Sequence, residues 1–183
     1  MKLIDSQRLL GDIQAKQSLF LFTAEDLGVL FSEKGETLRS TLKRLVSAKL
    51  LTKVASGIYA GDRIRDSKKD VLSLAAAKLR AGEVNYLSAE SVLSNHSVIS
   101  QQMLDRITVM TTGRSGTFKT PFGVIEFTHT KRNPIELLKT TRVSPSMSIR
   151  VANVNLAYRD LKRIGRNLNM VNKEELNAVN ESE

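Results

Sequence analysis

The sequence contains no cysteine, so neither a disulfide framework nor a thiolate metal site is available to it. Its two histidines, His96 and His129, are too few for a histidine-rich metal cluster. No run approaches the roughly 18 apolar residues of a membrane-spanning helix, so no membrane association is expected. The N-terminal stretch MKLIDSQRLLGDIQAKQ is interrupted by Asp5 and Asp12 and lacks the unbroken apolar core of a secretory signal. Together these absences predict a cytoplasmic protein.

Carboxylates are scarce where positive charge is dense. Residues 106–166 hold twelve Lys and Arg against three acids, Glu126, Glu136 and Asp160, a net of +9. Metal-dependent phosphodiester chemistry needs clustered carboxylates to hold its cations, and these three are scattered along the chain. No Glu-x-Lys follows a strand aspartate, and no glycine-flanked serine of the nucleophile-elbow type is present. An enzyme is therefore not expected, and no cofactor or metal is implied.

What the chain does have is basic charge in bands. The whole carries +9, with an isoelectric point near 9.9. Residues 36–65 hold seven cations against two acids, a net of +5, while the tail 167–183 reverses sign with one Lys against four Glu. A solvated basic face is the bland explanation of such charge, and a polyanionic partner the sharper one. At 183 residues the chain is long enough for one sizeable domain or two small ones.

The first band falls inside a recognisable pattern. Leu3, Ile4, Leu9, Leu10 and Ile13 predict a helix over 4–16. Ser18–Phe22 reads as a strand or the start of a buried turn. Thr23 and Asp26 have the spacing of a capping box before a short helix that buries Leu27, Leu30 and Phe31. Gly35 suits the positive φ of the following corner. A longer helix then runs from Glu36 or Thr37 to Lys49, with Leu38, Leu42, Leu45 and Val46 on one stripe. Its opposite face carries Thr37, Ser40, Thr41, Lys43, Arg44 and Ser47, with Arg39 at the edge. These side chains can bond base edges or neutralise phosphates. Leu50–Val54 and Ile58–Ala60 flank Ala55-Ser56-Gly57 as a hairpin, with Lys53 near its tip to meet backbone phosphate. Helix, turn, basic helix and hairpin make a winged helix-turn-helix, whose second helix enters the DNA major groove. This domain is placed at residues 1–62, and the charged stretch GDRIRDSKKD is read as the connector.

The remainder, 66–183, is read as a small mixed α/β domain with a short, mostly antiparallel sheet, so the fold class is α+β. Ser67 and Asp70 have capping-box spacing before the helix DVLSLAAAKLR, which Gly82 closes. Ser88 is placed as the cap of a short helix, and Ser100–Asp105 as a further helical turn. Strands are expected at Arg106–Thr112, Thr117–Thr120, Val124–His129 and Met147–Ala152. Gly113-Arg114-Ser115-Gly116 lacks the P-loop lysine and is read as a hairpin loop. His129 is expected to be partly buried and hydrogen-bonded rather than catalytic. A last strong helix over 153–167 has an apolar side from Val154 to Leu168. Arg159, Lys162, Arg163 and Arg166 line one stripe of it, and only Asp160 interrupts the positive sign. Such like charges repel unless an anion relieves them, so the stripe is a second candidate surface. Asn172 and Glu175 cap a final short helix.

A winged helix followed by a helix, then YLSAESVL, ITVMTTGR and GVIEFTH, resembles the AbiEi family of antitoxins from type IV toxin–antitoxin systems. The matching features span roughly residues 20–130: Gly57-Ile58-Tyr59 closing the wing, Tyr86-Leu87-Ser88 with Leu93 and His96, Ile107–Thr112 and Gly123–His129. Such proteins often carry a glycine after the histidine, where this chain has Ser97; Asn95 could supply the left-handed conformation instead. The resemblance implies a transcriptional autorepressor that binds inverted repeats in double-stranded DNA of its own promoter. It also implies an antitoxin that counteracts a nucleotidyltransferase-like toxin encoded next door, whether or not the two touch. Inverted repeats call for two modules, hence a dimer on DNA, although no dimer surface is identifiable in the sequence. The alternative is a winged-helix regulator whose C-terminal domain senses a small ligand.

Overall fold

The computed structural model describes residues 2–100 and 105–182. Most of the helical turn expected at Ser100–Asp105 lies outside these residues. The fold is α+β, and it divides into two compact units, Met1–Val71 and Leu72–Glu183. The charged connector therefore belongs to the first unit, where Ile64–Asp66 forms one turn of 3-10 helix anchored by buried Ile64. Among the described residues no helix is long and apolar enough to cross a membrane.

In the first unit the order is α1 (Leu3–Gln17), β1 (Leu21–Thr23), α2 (Ala24–Phe31), α3 (Gly35–Ser47), β2 (Leu51–Ala55) and β3 (Ile58–Gly61). The apolar run before α2 is thus a strand, and it completes a three-stranded antiparallel sheet ordered β1-β3-β2. Thr23 and Asp26 form the capping box in both directions, at 3.0 and 2.8 Å. That cap satisfies two amides which the helix leaves open and fixes where β1 becomes α2. Gly35 starts α3 at φ +60 and Gly57 turns the hairpin at φ +72, both left-handed conformations that cost a residue with a Cβ more. Leu10, Phe22, Leu27, Phe31, Leu42, Leu45 and Leu51 make the core, drawing one or two side chains from each of the three helices and from β1 and β2, with Tyr59 of β3 packed against it. Buried Gln14 adds a polar tie from α1, donating to Asp62 Oδ1 at 2.9 Å and accepting from the Arg63 amide at 3.1 Å. The sheet, the helix pair and the hairpin have the arrangement of a winged helix-turn-helix.

The second unit holds a six-stranded sheet in the order β6-β7-β5-β4-β9-β8. Its strands are β4 (Asn85–Leu87), β5 (Arg106–Thr111), β6 (Gly116–Thr120), β7 (Gly123–His129), β8 (Thr141–Arg142) and β9 (Arg150–Ala152). Helix α4 (Val71–Leu79) precedes it, α5 (Glu90–Asn95) follows β4, α6 (Pro134–Thr140) lies between β7 and β8, and α7 (Val154–Ile164) and α8 (Lys173–Ser182) end the chain. Three strand pairs are antiparallel, but β5–β7 and β4–β9 are parallel. The sheet is therefore wider and more mixed than its period-two runs suggest.

Several sequence expectations need correction. Gly113–Gly116 is not a hairpin loop, because β7 lies between β5 and β6; the loop spans the width of that strand. Ser88 does not cap α5: its hydroxyl is drawn inward to Asp160, and Ala89 at φ +50 precedes the helix. Ser67 makes no capping box either, since its hydroxyl is occupied by the backbone of Lys69. Asn172 does cap α8, accepting from the amides of Glu174 and Glu175. The left-handed residue after His96 is Ser97, at φ +59, while Asn95 stays helical. Ser97→Gly should accordingly raise stability by about 0.5–1 kcal/mol, the relief of the left-handed strain less the entropy that glycine adds to the unfolded chain. Thermal unfolding of the two proteins measures this, and a lower midpoint for the variant would contradict it.

Candidate nucleic-acid interface

Helix α3 turns Leu42 and Leu45 into the core and leaves Thr37, Arg39, Ser40, Lys43, Arg44 and Ser47 exposed. Thr41, expected on the same face, is buried at 2% exposure. It stands three residues after Leu38 and four before Leu45, so the helical period places it beside the apolar stripe. Its hydroxyl accepts from Arg44 Nη2 at 3.4 Å, beneath the outer face. Thr41 can steady Arg44 but cannot itself meet a ligand.

The remaining cations differ in their surroundings. Arg39 sits 3.3 Å from Glu36, with both side chains about four-fifths exposed, a pairing that solvent and salt screen. Ser47 donates back to the Lys43 carbonyl at 3.0 Å, leaving its oxygen able to accept. Lys53 lies on β2 opposite Tyr59 rather than at the Ser56-Gly57 tip. There it lines a groove of about 590 Å³ between α3 and the hairpin, together with Arg39, Lys43 and Ser47. Glu25 is the acid on that groove. Three cations from two elements thus converge on one concave face, an arrangement chemically able to meet the phosphates of a nucleic-acid backbone.

The second candidate surface is smaller than the sequence implies. Asn153 caps α7 by accepting from the Leu156 amide, and Gly165 closes it at φ +76. Arg159, Lys162 and Arg163 are exposed on it, with the Lys162 ammonium 4.6 Å from the Tyr158 ring centroid. Arg166 is not on the stripe. The left-handed turn at Gly165 ends the helix before it and sends the guanidinium back to carboxylates, Glu90 at 2.7 Å and Glu126. Glu90 is 1% exposed, also accepts from Asn167 at 3.0 Å, and shares Arg166 with Glu126, which Arg106 pairs from its other side at 3.0 Å. Burial pushes the Glu90 carboxyl up, but the bond and charge of Arg166, a backbone bond and the bond from Asn167 together outweigh it and the net shift is downward. Arg166 is held protonated chiefly by its bond to Glu90.

Asp160 is likewise not a surface charge. It is fully buried and accepts from Tyr86 Oη at 3.1 Å, Ser88 Oγ at 2.8 Å and Arg132 Nη2 at 2.9 Å. Burial first, and then the Asp160 charge, push the Tyr86 phenol above its ordinary range, so it stays a donor. A signal for this was present: Asp160 lies three residues after Ala157 and four before Ile164, on the apolar side of α7. His129 is half-buried, with Nδ1 2.8 Å from the Gly113 carbonyl.

Replacing Arg159, Lys162 and Arg163 together with Gln should cost little stability, because all three are exposed and their contacts are weak, a 3.4 Å bond from Arg163 to the Thr130 hydroxyl and the Lys162 ammonium over the Tyr158 ring. A cooperative unfolding midpoint well below the parent's would contradict that. No protein-family model matches the chain, and neither a curated protein nor a solved structure matches it.

Proposed function

We propose that the chain is a cytoplasmic, DNA-binding transcriptional autorepressor and antitoxin, acting against a nucleotidyltransferase-like toxin. The observation that carries the DNA-binding part is the groove of the first unit. Arg39 and Lys43 from α3 and Lys53 from the hairpin face it, beside exposed hydroxyls of Thr37, Ser40 and Ser47 able to read base edges. The partner is double-stranded DNA of the chain's own promoter, bound by two copies where the site is an inverted repeat. Arg159, Lys162 and Arg163 add phosphate contact or meet another partner. The reading includes no catalytic step and no cofactor.

The antitoxin part rests on the residue pattern from Tyr86 to His129. It gains support from Ser97, which takes the left-handed conformation at the position where the resembling family often has glycine. The test is co-expression with the neighbouring reading frame. Growth arrest by that frame alone, relieved by this chain, supports the reading; a neighbour with no effect on growth, or an arrest the chain does not relieve, overturns it.

A second reading keeps the DNA-binding groove but makes the second unit a ligand sensor. An open cleft of about 630 Å³ beside Arg80 and His129 favours it. DNA affinity that changes with an added metabolite would select this reading over the first.

A further inference from the structure

Most arginines of the second unit that reach inward find a carboxylate: Arg106, Arg132 and Arg166 are all ion-paired. Arg80 is half-buried and is held differently. Its guanidinium lies 5.2 Å from the Phe118 ring centroid and 4.9 Å from that of Phe127. Nε donates to the Arg114 carbonyl at 3.1 Å and Nη1 to the Leu79 carbonyl at 3.2 Å. Two aromatic faces and two carbonyls therefore fix its orientation without neutralising its charge, and Nη2 makes no hydrogen bond among the described residues. A rigid, unneutralised guanidinium is a preorganised half of a bidentate contact to an oxyanion.

Arg80 lines the 630 Å³ cleft, and the other groups there complete the picture. Arg114 is exposed on the cleft wall and pairs with no acid among the described residues. Ser115 Oγ accepts from the His129 amide at 2.8 Å, which leaves its hydroxyl proton to donate. Because His129 Nδ1 faces a carbonyl, that nitrogen carries the proton and Nε2 remains without a partner among the described residues. Glu83 lies on the same cleft and accepts from Thr112 Oγ1 through one oxygen, with the other left to accept from a ligand hydroxyl. The volume is that of a metabolite site rather than of a single ion.

We infer that this cleft binds a small phosphomonoester bearing hydroxyl groups, with its phosphate on Arg80, Arg114 and Ser115 and its sugar toward Glu83. A sugar phosphate and a nucleoside monophosphate share this chemistry. The inference concerns the second unit alone and stands or falls apart from DNA binding by the first.

Isothermal titration of the full chain at low ionic strength tests it, with ribose 5-phosphate and AMP as probes and ribose, adenosine and inorganic phosphate as controls. At least one of the two phosphomonoesters should bind at micromolar to millimolar concentration, and whichever binds more tightly identifies the source. Ribose and adenosine should give no saturable signal, and inorganic phosphate should bind more weakly than the better ester. Arg80→Lys, which keeps the charge but loses the fork, and Arg114→Gln should each weaken the ester about tenfold or more. Should Arg80→Lys fail to fold, Arg114→Gln decides, since its backbone carbonyl still meets Arg80. Four results would overturn the inference: no ester binding at millimolar ligand, ribose or adenosine binding as tightly as its phosphate, inorganic phosphate matching the better ester, or folded variants that bind like the parent.

Discussion

Arg166→Gln should destabilise the second unit by about 3–5 kcal/mol, the usual cost of removing one member of a buried ion pair. The charge left behind is that of Glu90, at 1% exposure, with Glu126 beside it losing one of its two arginines. Discounting for the one-third exposure of the Arg166 side chain moves the expectation to the lower end of that range. The comparison with its neighbours in sequence sharpens the point. Arg159, Lys162 and Arg163 carry the same charge but are exposed and pair with no carboxylate among the described residues, so substituting them should cost little stability. Denaturant unfolding of the single and triple variants separates the two cases, and equal midpoints would show that the Glu90–Arg166–Glu126 cluster is not a structural unit.

Proton linkage gives the same cluster a second signature. In the parent, Glu90 titrates below the ordinary carboxyl value of 4.5, so its stabilising contribution is fully present above that pH. It is lost as pH falls through the lowered value. Without Arg166 the largest remaining influence on Glu90 is burial, which disfavours the charged form and raises the titration relative to the parent. Protonation then costs the variant less than the parent, so the stability gap between them should narrow on acidification. Stability measured from neutral pH to below 4.5 reads the narrowing directly, and parallel profiles for both proteins would contradict the assignment.

The second large effect concerns DNA. Lys43→Ala combined with Arg44→Ala should weaken binding to the chain's own upstream DNA by roughly 2–4 kcal/mol, about thirty- to several-hundred-fold. The slope of log affinity against log salt should flatten by about two, one unit for each phosphate charge no longer neutralised. Both side chains are exposed on α3, so the loss should not be accompanied by unfolding. Arg44 also rests on Thr41, and Thr41→Val should therefore weaken DNA binding modestly while leaving the salt slope intact. A double variant that binds like the parent would mean that α3 does not enter the groove.

The first unit was legible in the sequence because the contacts that define it are local. Thr23 and Asp26 are three residues apart, Gly57 turns strands that touch each other, and the stripe of Leu38, Leu42 and Leu45 repeats along a single helix. Where the reading failed there, at Thr41, the position lay on the border between stripe and face, and the helical period alone does not decide a border. The second unit was less legible because its pairings are distant. β4 has three residues and is recognisable only through its partners, β5 more than twenty residues later and the parallel β9 more than sixty residues later in the chain. β7 inserts between β5 and β6, so Gly113–Gly116 has hairpin composition without joining neighbouring strands. Arg166 shares the spacing of the α7 cations, but one left-handed glycine before it moves it from the surface to a buried carboxylate. α6, by contrast, had a local signal in Asn133-Pro134, an N-cap followed by proline at the first helical position.

The measurement that bears most directly on the proposed DNA-binding role is the affinity of the intact chain for its own upstream DNA across a salt series, beside an unrelated duplex of equal length. Base-edge contacts from the exposed α3 side chains predict preference for the upstream DNA by about a thousandfold or more, and the groove lined by Arg39, Lys43 and Lys53 predicts several phosphate charges in the slope. Equal affinity for the two duplexes, or affinity indifferent to salt, would contradict it.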